Sequence, residues 1–126
     1  IVKVSDEDLH WLMGQGETPA LAERLLQRGP RLICVTEGAR GVTGYTAGGA
    51  VFVAAEPAQV VDTVGAGDTF NAGVLASLHA AGARTKDRLA RLTGDETRAA
   101  LSLGARAAAV TVARAGANPP WAAELA

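Results

Sequence analysis

Segments typical of strands and of helices alternate along this 126-residue chain, and the alternation predicts an α/β layered fold with a mostly parallel sheet. The run "RLICVT" at 31–36 is apolar without polar alternation, which is typical of a strand covered on both faces. A hydrophobic fraction of 48% fits a folded chain. The length corresponds to one domain of ordinary size, or to part of a larger one.

The first elements are predicted from short local signals. "IVKV" reads as a strand, and "SDEDLHWLM" predicts a helix with Ser5 as its N-cap and Asp8 at the third helical position. "TPALAERLLQRG" predicts a second helix, because Thr18 fits a cap and Pro19 fits the first helical position.

Turn-forming residues divide the rest of the chain. "EGARG" predicts a turn, and "VTGYTA" and "AVFVAA" around Gly48 and Gly49 predict a hairpin. A glycine turn then leads into a predicted helix over 68–81, and the last long helix is predicted over 95–112. The core face of the helix over 68–81 is expected to carry Phe70, Val74, Leu75 and Leu78.

Composition excludes several classes of protein. Twelve basic and thirteen acidic residues leave a formal charge of −1, so the basic excess of a nucleic-acid-binding domain is missing. No run reaches 18 apolar residues, so no membrane span is expected. The single Cys34 lies in an apolar run and is typical of a buried thiol in a reducing compartment, and we expect a cytoplasmic protein. Because the chain opens on Ile1 inside a strand, we expect it to be the C-terminal portion of a longer protein.

The glycine turn Gly65-Ala66-Gly67 precedes a helix that starts near Asp68. A helix N-terminus has unpaired N–H groups and a positive dipole end, and glycines ahead of it leave room for an anion. Two common phosphate loops are excluded: Phe70 stands where a dinucleotide fingerprint needs its third glycine, and no lysine lies nearby for a Walker A loop. The alternative is that Asp68 only caps the helix.

The longer string "DTVGAGDTFNAG" resembles the second signature, D-T-x-G-A-G-D-x-F, of the ribokinase-like (PfkB) sugar kinases. This resemblance implies a three-layer α/β/α fold with a mostly parallel sheet, of which residues 1–126 would be the C-terminal ATP-binding and catalytic part, without the N-terminal part and its β lid. It also implies that Gly65, Ala66, Gly67 and Asp68 form an anion hole for the transferring phosphoryl group, with Asp68 as the catalytic base. Oriented amides and a carboxylate near the acceptor hydroxyl suit phosphoryl transfer.

Two further segments resemble the family. "VTEGARGV" is similar to its nucleotide-binding turn T-x-G-x-x-G, which implies that Thr36, Gly38 and Gly41 lie along the ATP phosphates, with added charge from Arg40 or with Arg40 exposed on the turn. "KVSDED" is similar to its N-x-x-E element. That similarity implies that Ser5 and Asp8 order Mg²⁺ and phosphate through water; the same two residues also fit a helix cap.

The C-terminal segment "AAAVTVARAGANP" resembles the part that closes the adenine pocket and a monovalent-cation loop. Small side chains leave room for a flat base, or allow tight helix packing; these are Ala105, Ala108 and Ala109. Carbonyl groups around Thr111, Arg114 and Gly116, together with Asp62, are implied to hold K⁺, although the same sequence is an ordinary helix stop.

The resemblance therefore implies ATP-dependent phosphorylation of a sugar hydroxyl with ATP, Mg²⁺ and K⁺ as cofactors. "VKVSDEDL" resembles the form found in fructokinase-like members of the family, and this resemblance favours fructose as the substrate. The alternatives are kinases for ribose, 2-keto-3-deoxygluconate or a nucleoside, or a nucleotide-binding fragment without catalysis of its own. We expect a sugar and ATP as the partners, no nucleic acid and no membrane, and a homodimeric parent protein.

Overall fold

The structure is a computed structural model that describes all residues, 1–126. The strands are β1 (Val2–Ser5), β2 (Ile33–Thr36), β3 (Gly41–Thr46) and β4 (Gly49–Ala54). The α-helices are α1 (Asp6–Met13), α2 (Thr18–Leu26), α3 (Ala66–Ala80), α4 (Lys86–Leu89) and α5 (Gly94–Val112). Short 3₁₀ turns lie at Gly38–Arg40 and Ala122–Glu124. None of the helices is both long enough and apolar enough to cross a membrane.

The four strands form one mixed sheet in the order β1-β2-β3-β4. Only β1 and β2 pair in parallel, whereas β2–β3 and β3–β4 are antiparallel. The prediction of a mostly parallel sheet is therefore wrong for this chain. The reason is connection length: β2, β3 and β4 follow one another through short links, and short links join antiparallel strands, whereas a parallel pair needs a helical crossover such as α1–α2.

Helices cover both faces of the sheet and give the predicted three layers. Cys34 packs with α3 and α5 on one face, while the next residue, Val35, packs with α1 and α2 on the other. This alternation confirms that "RLICVT" is a strand buried on both sides. The hairpin around Gly48 and Gly49 is also confirmed.

The starts of the first two helices differ in how they are capped. The Ser5 hydroxyl accepts the Asp8 backbone N–H at 2.9 Å, as predicted. The predicted cap at Thr18 is wrong, because Thr18 is already helical and the N-cap is Glu17, whose side chain makes no capping bond. Pro19 follows in the first turn and lacks one of the N–H groups that a capping side chain would accept.

Helix α3 begins at the glycine turn and packs against α5. Phe70, Val74 and Leu78 are buried as predicted, because a spacing of four keeps them on one helix face. The prediction for Leu75 is wrong: its side chain is 54% exposed, since it lies one residue further round the helix than Val74. Gly73 and Gly104 form the closest approach of α3 and α5, because a methyl group on Gly73 would lie 2.7 Å from the Gly104 Cα.

Candidate functional site

The turn before α3 presents free backbone N–H groups. Gly65 adopts the left-handed conformation (φ 78°), and its carbonyl accepts the backbone N–H and the hydroxyl of Thr69, each at 2.9 Å. The N–H of Ala66 donates to the Thr63 carbonyl at 3.3 Å. The N–H groups of Gly67 and Asp68 have no backbone acceptor, so they remain available at the positive end of the helix dipole.

A cleft of about 600 Å³ opens beside this turn. It is bounded by the turn after β2, by the first turn of α3 and by the C-terminal half of α5. The predicted site residues that line it are Thr36, Gly38, Gly41, Ala66, Gly67, Ala105, Ala108 and Ala109. The three segments that the sequence predicts to share a nucleotide site, 36–41, 66–67 and 105–109, therefore line the same cleft although they are far apart in sequence.

The turn after β2 forms one wall of the cleft, and its position depends on a close approach between β3 and β4. Gly41 has a φ of 133°, and a methyl group there would lie 2.2 Å from the Val53 carbonyl oxygen. Glycine at this position lets the turn lie directly on the hairpin. The Thr36 hydroxyl donates to the Val4 carbonyl at 3.4 Å, which holds the end of β2 against β1.

The opposite wall of the cleft is apolar and built from small side chains. Ala105, Ala108 and Ala109 lie on the cleft side of α5, next to Phe70 and Val112. Alanines on one helix face leave a shallow apolar surface, which suits a flat aromatic group.

Two members of the glycine turn lie at the edge of the cleft and do not line it. Gly65 precedes the helix, and Asp68 is exposed in the first turn of α3, where its carboxylate forms no ion pair. Arg40 also does not line the cleft: its side chain is 74% exposed and pairs with Glu37 at 3.0 Å. The reading of Arg40 as an exposed turn residue agrees with this position.

Ser5 and Asp8 lie at the junction of β1 and α1, outside the cleft lining. Their hydrogen bond is a helix cap, as described above. A water-mediated role toward Mg²⁺ stays a prediction for both residues.

Asp62 joins the loop before α3 to the loop after α5. Its carboxylate accepts the N–H of Val64 at 3.0 Å and that of Gly116 at 2.9 Å, and these bonds lower the pKa of Asp62. Thr111 is buried and its hydroxyl donates to the Ala107 carbonyl at 3.1 Å, while the Arg114 guanidinium pairs with Glu124. The structure thus brings the predicted K⁺ residues to one corner of the fold, where Asp62 also has a structural role.

Several cleft residues were missed by the sequence analysis. Lys3 lines the cleft, and its signal was a lone charge inside the apolar strand "IVKV". The segment 55–58 also lines it, but no periodicity marks these residues, and only the end of β4 places them there. The remaining missed lining residues are Ala39, Val42, Val60, Thr63, Phe70 and Val112.

Comparison with known proteins gives a consistent result. The sequence profile of the pfkB family of carbohydrate kinases matches residues 1–124. The chain is 52% identical over 92 residues to a fructokinase of Rhizobium leguminosarum bv. trifolii, a match that covers 73% of the chain and 28% of that enzyme. It is 40% identical over 95 residues to a fructokinase of Klebsiella pneumoniae, a match that covers 75% of the chain and 30% of that enzyme. The chain therefore spans less than a third of the length of either relative.

Solved structures show the same fold. A fructokinase double mutant from Vibrio cholerae, bound to fructose, ADP and potassium ion, matches with a TM-score of 0.76 and 25% identity over 92% of the chain and 36% of that protein. Ribokinase from Thermotoga maritima matches with a TM-score of 0.78 and 23% identity over 98% of the chain and 39% of that protein. The predicted ribokinase-like α/β fold is confirmed.

Proposed function

The chain belongs to the pfkB family of carbohydrate kinases, and from this premise we propose that residues 1–126 form the ATP-binding and catalytic part of a kinase that phosphorylates a sugar hydroxyl, with fructose as the favoured sugar. One observation carries the proposal: the free N–H groups of Gly67 and Asp68 lie at the edge of a cleft whose other wall is apolar. Such a cleft suits a molecule with a flat base at one end and phosphates at the other.

In this proposal the adenine lies against Ala105, Ala108 and Ala109, and the phosphates follow the turn at Gly38 and Gly41 toward α3. The amides at the start of α3 then face the γ-phosphate. Amides fixed by a helix stabilise the charge on the equatorial oxygens of the phosphoryl group without reorganising during the reaction.

Asp68 is proposed as the general base. Its carboxylate is exposed and has no partner in the chain, so it is free to accept a proton from the acceptor hydroxyl. As that proton moves to Asp68, the sugar oxygen bonds to the γ-phosphorus and the bond to the β-phosphate oxygen breaks. ADP and the sugar phosphate are the products.

The proposed cofactors are ATP, Mg²⁺ and K⁺. Mg²⁺ commonly binds through substrate phosphates and water, which fits Ser5 and Asp8 acting at a distance. Asp62 is a reasonable K⁺ ligand, because each carboxylate oxygen has a second lone pair beyond the one that accepts an amide. The Vibrio cholerae structure, with ADP and potassium ion bound, supports a nucleotide and K⁺ as cofactors.

The proposal of fructose is supported by the fructokinase relatives. A second candidate follows from the length of the chain, which is less than a third of those relatives: the chain alone binds nucleotide without turning over sugar. Without the rest of such a kinase the cleft stays wet, and water weakens every electrostatic interaction in it.

Calorimetric titration with a non-hydrolysable ATP analogue, beside an ADP-release assay with fructose, ribose and 2-keto-3-deoxygluconate, separates these readings. Binding with turnover of fructose is the result expected of the intact enzyme. Binding without turnover of any sugar identifies a nucleotide-binding part, and turnover of another sugar corrects the substrate. An intact protein that does not bind the analogue would contradict the nucleotide site itself.

The base assignment is tested with Asp68→Asn in the intact enzyme. We expect turnover to fall by about 10²–10⁴ while ATP affinity stays nearly unchanged, because the general base acts in the chemical step. Asp95→Asn is the matched control, since Asp95 is also an exposed carboxylate in the first turn of a long helix, and it lies outside the cleft. Full turnover in Asp68→Asn would rule out the base.

A further inference from the structure

Lys3 reaches the start of α3 from the neighbouring strand. It is paired with Cys34 in the parallel register of β1 and β2, and paired residues share a face of the sheet. That face is the one covered by α3 and α5. A methyl group built on Gly67 would lie 2.9 Å from the Lys3 Nζ, so the ammonium group lies directly against the turn that presents the free amides.

No carboxylate of the chain neutralises this lysine. The three ion pairs join Arg40 to Glu37, Arg88 to Glu96 and Arg114 to Glu124. Lys3 is the only cation that lines the cleft, and the only anion that lines it, Glu56, makes no ion pair with Lys3. Lys3 is half-buried and lines the cleft without a protein partner, so an anion bound there would meet its charge without displacing an ion pair.

We propose that Lys3 binds the nucleotide phosphate that lies over the N-terminus of α3, together with the N–H groups of Gly67 and Asp68. This inference rests on the proposed function, because it takes ATP as the occupant of the cleft. An ammonium group is a point charge with three donors, which suits the oxygens of one phosphate. The strand fixes the position of Lys3, so the charge is in place before the nucleotide binds.

The competing role for Lys3 is packing, in which its aliphatic stem covers part of the core between β1 and α3. The two roles differ in what they do to ligands with and without phosphate. A packing defect weakens the binding of adenosine and ATP together, whereas loss of a phosphate contact weakens only the binding of ATP.

The test measures the affinity of the intact protein for ATP, ADP and adenosine by calorimetry. Lys3→Met keeps the stem and removes the charge, and we expect it to weaken ATP binding about 10- to 100-fold while adenosine binding changes less than about twofold. Lys3→Arg keeps the charge and should recover most of the ATP affinity. Lys86→Met is the control, because Lys86 is the only other lysine and lies outside the cleft, on α4. It should bind like the wild type.

A second variant changes the contact between Lys3 and Gly67 without a substitution in β1. In Gly67→Ala the new methyl group must displace the Lys3 ammonium, and we expect a selective loss of ATP affinity there too. Equal losses for adenosine and ATP, or no loss in Lys3→Met, would overturn the assignment of Lys3 while leaving the nucleotide site intact. A wild-type protein that binds neither ligand would instead overturn the proposed function.

Discussion

The contact between Gly73 and Gly104 makes a sharp prediction for stability. In Gly73→Ala the new methyl group would meet the Gly104 Cα at 2.7 Å and the Leu103 carbonyl oxygen at 2.9 Å. These are backbone atoms that cannot rotate away, so α3 and α5 must move apart. Overpacking of this kind costs about 1–3 kcal/mol, and we take the upper end because no side chain can relieve it.

Alanine also favours a helix over glycine by about 1 kcal/mol, which offsets part of that cost. The net expected loss is about 2 kcal/mol, the difference between the two terms. For a chain of 126 residues each kcal/mol corresponds to about 4 °C, so the melting temperature should fall by about 8 °C. Thermal and urea unfolding followed by circular dichroism measure both quantities.

Gly94→Ala is the matched control. Gly94 begins α5, and the nearest atom to a methyl group there is the Val51 Cγ2 at 4.0 Å, so we expect a change within about 0.5 kcal/mol. Because α3 presents Gly67 to the cleft, Gly73→Ala should also weaken ATP binding. The reasoning is refuted if Gly73→Ala melts within about 2 °C of the wild type, the interval expected of the control.

Two other perturbations test the local physics. Hydrogen bonds from the Arg88 guanidinium and the Thr93 backbone lower the pKa of Glu96 from 4.5 to about 2, so the stability that Glu96 contributes is complete above about pH 4.5 and is lost as the pH falls through about 2. The Glu96→Gln variant should therefore lose less stability than the wild type as the pH falls from about 4.5 to about 2, as measured by urea unfolding. Identical pH profiles for the two proteins would contradict the assignment. Gly41 and Gly49 have similar φ values, 133° and 126°, but only a methyl group on Gly41 meets backbone, 2.2 Å from a carbonyl oxygen. Gly41→Ala should lose at least about 2 kcal/mol more than Gly49→Ala in thermal melts, and equal losses would exclude the steric explanation.

Local signals in the sequence predict the elements of this fold well. The hairpin depends on two adjacent glycines, and the first helix depends on a capping serine, so neither needs information from distant residues. The unbroken apolar run of β2 predicts burial on both faces because alternate residues must each find a helix to pack against. The prediction of a mostly parallel sheet is wrong because β2, β3 and β4 follow one another through short links, and short links join antiparallel strands.

The part of the site that is formed by backbone groups of one local segment can be predicted from the sequence. The part that depends on a side chain from a distant element is harder to predict. Gly65 and Gly67 stand out in the sequence, because Gly65 adopts the left-handed conformation that glycine favours and Gly67 leaves room for the Lys3 ammonium. Lys3 lies more than sixty residues earlier, and its closeness to Gly67 depends on the pairing of β1 with β2 and on the packing of α3 on that sheet. The exposure of Leu75 has the same cause, because the position of a helix on a sheet decides which neighbour of Val74 faces the core.

Three glycines, Gly41, Gly73 and Gly104, allow the close backbone contacts that shape the two walls of the cleft. Gly41 brings the turn after β2 onto the hairpin, and Gly73 and Gly104 bring α3 onto α5. The first contact sets the wall proposed for the phosphates and the second sets the alanine wall proposed for the base. A nucleotide in the cleft would touch both walls at once, so its affinity depends on their separation. Asp62 fixes a different distance, because its carboxylate ties the loop before α3 to Gly116 after α5 and so holds the start of α3 against the end of α5.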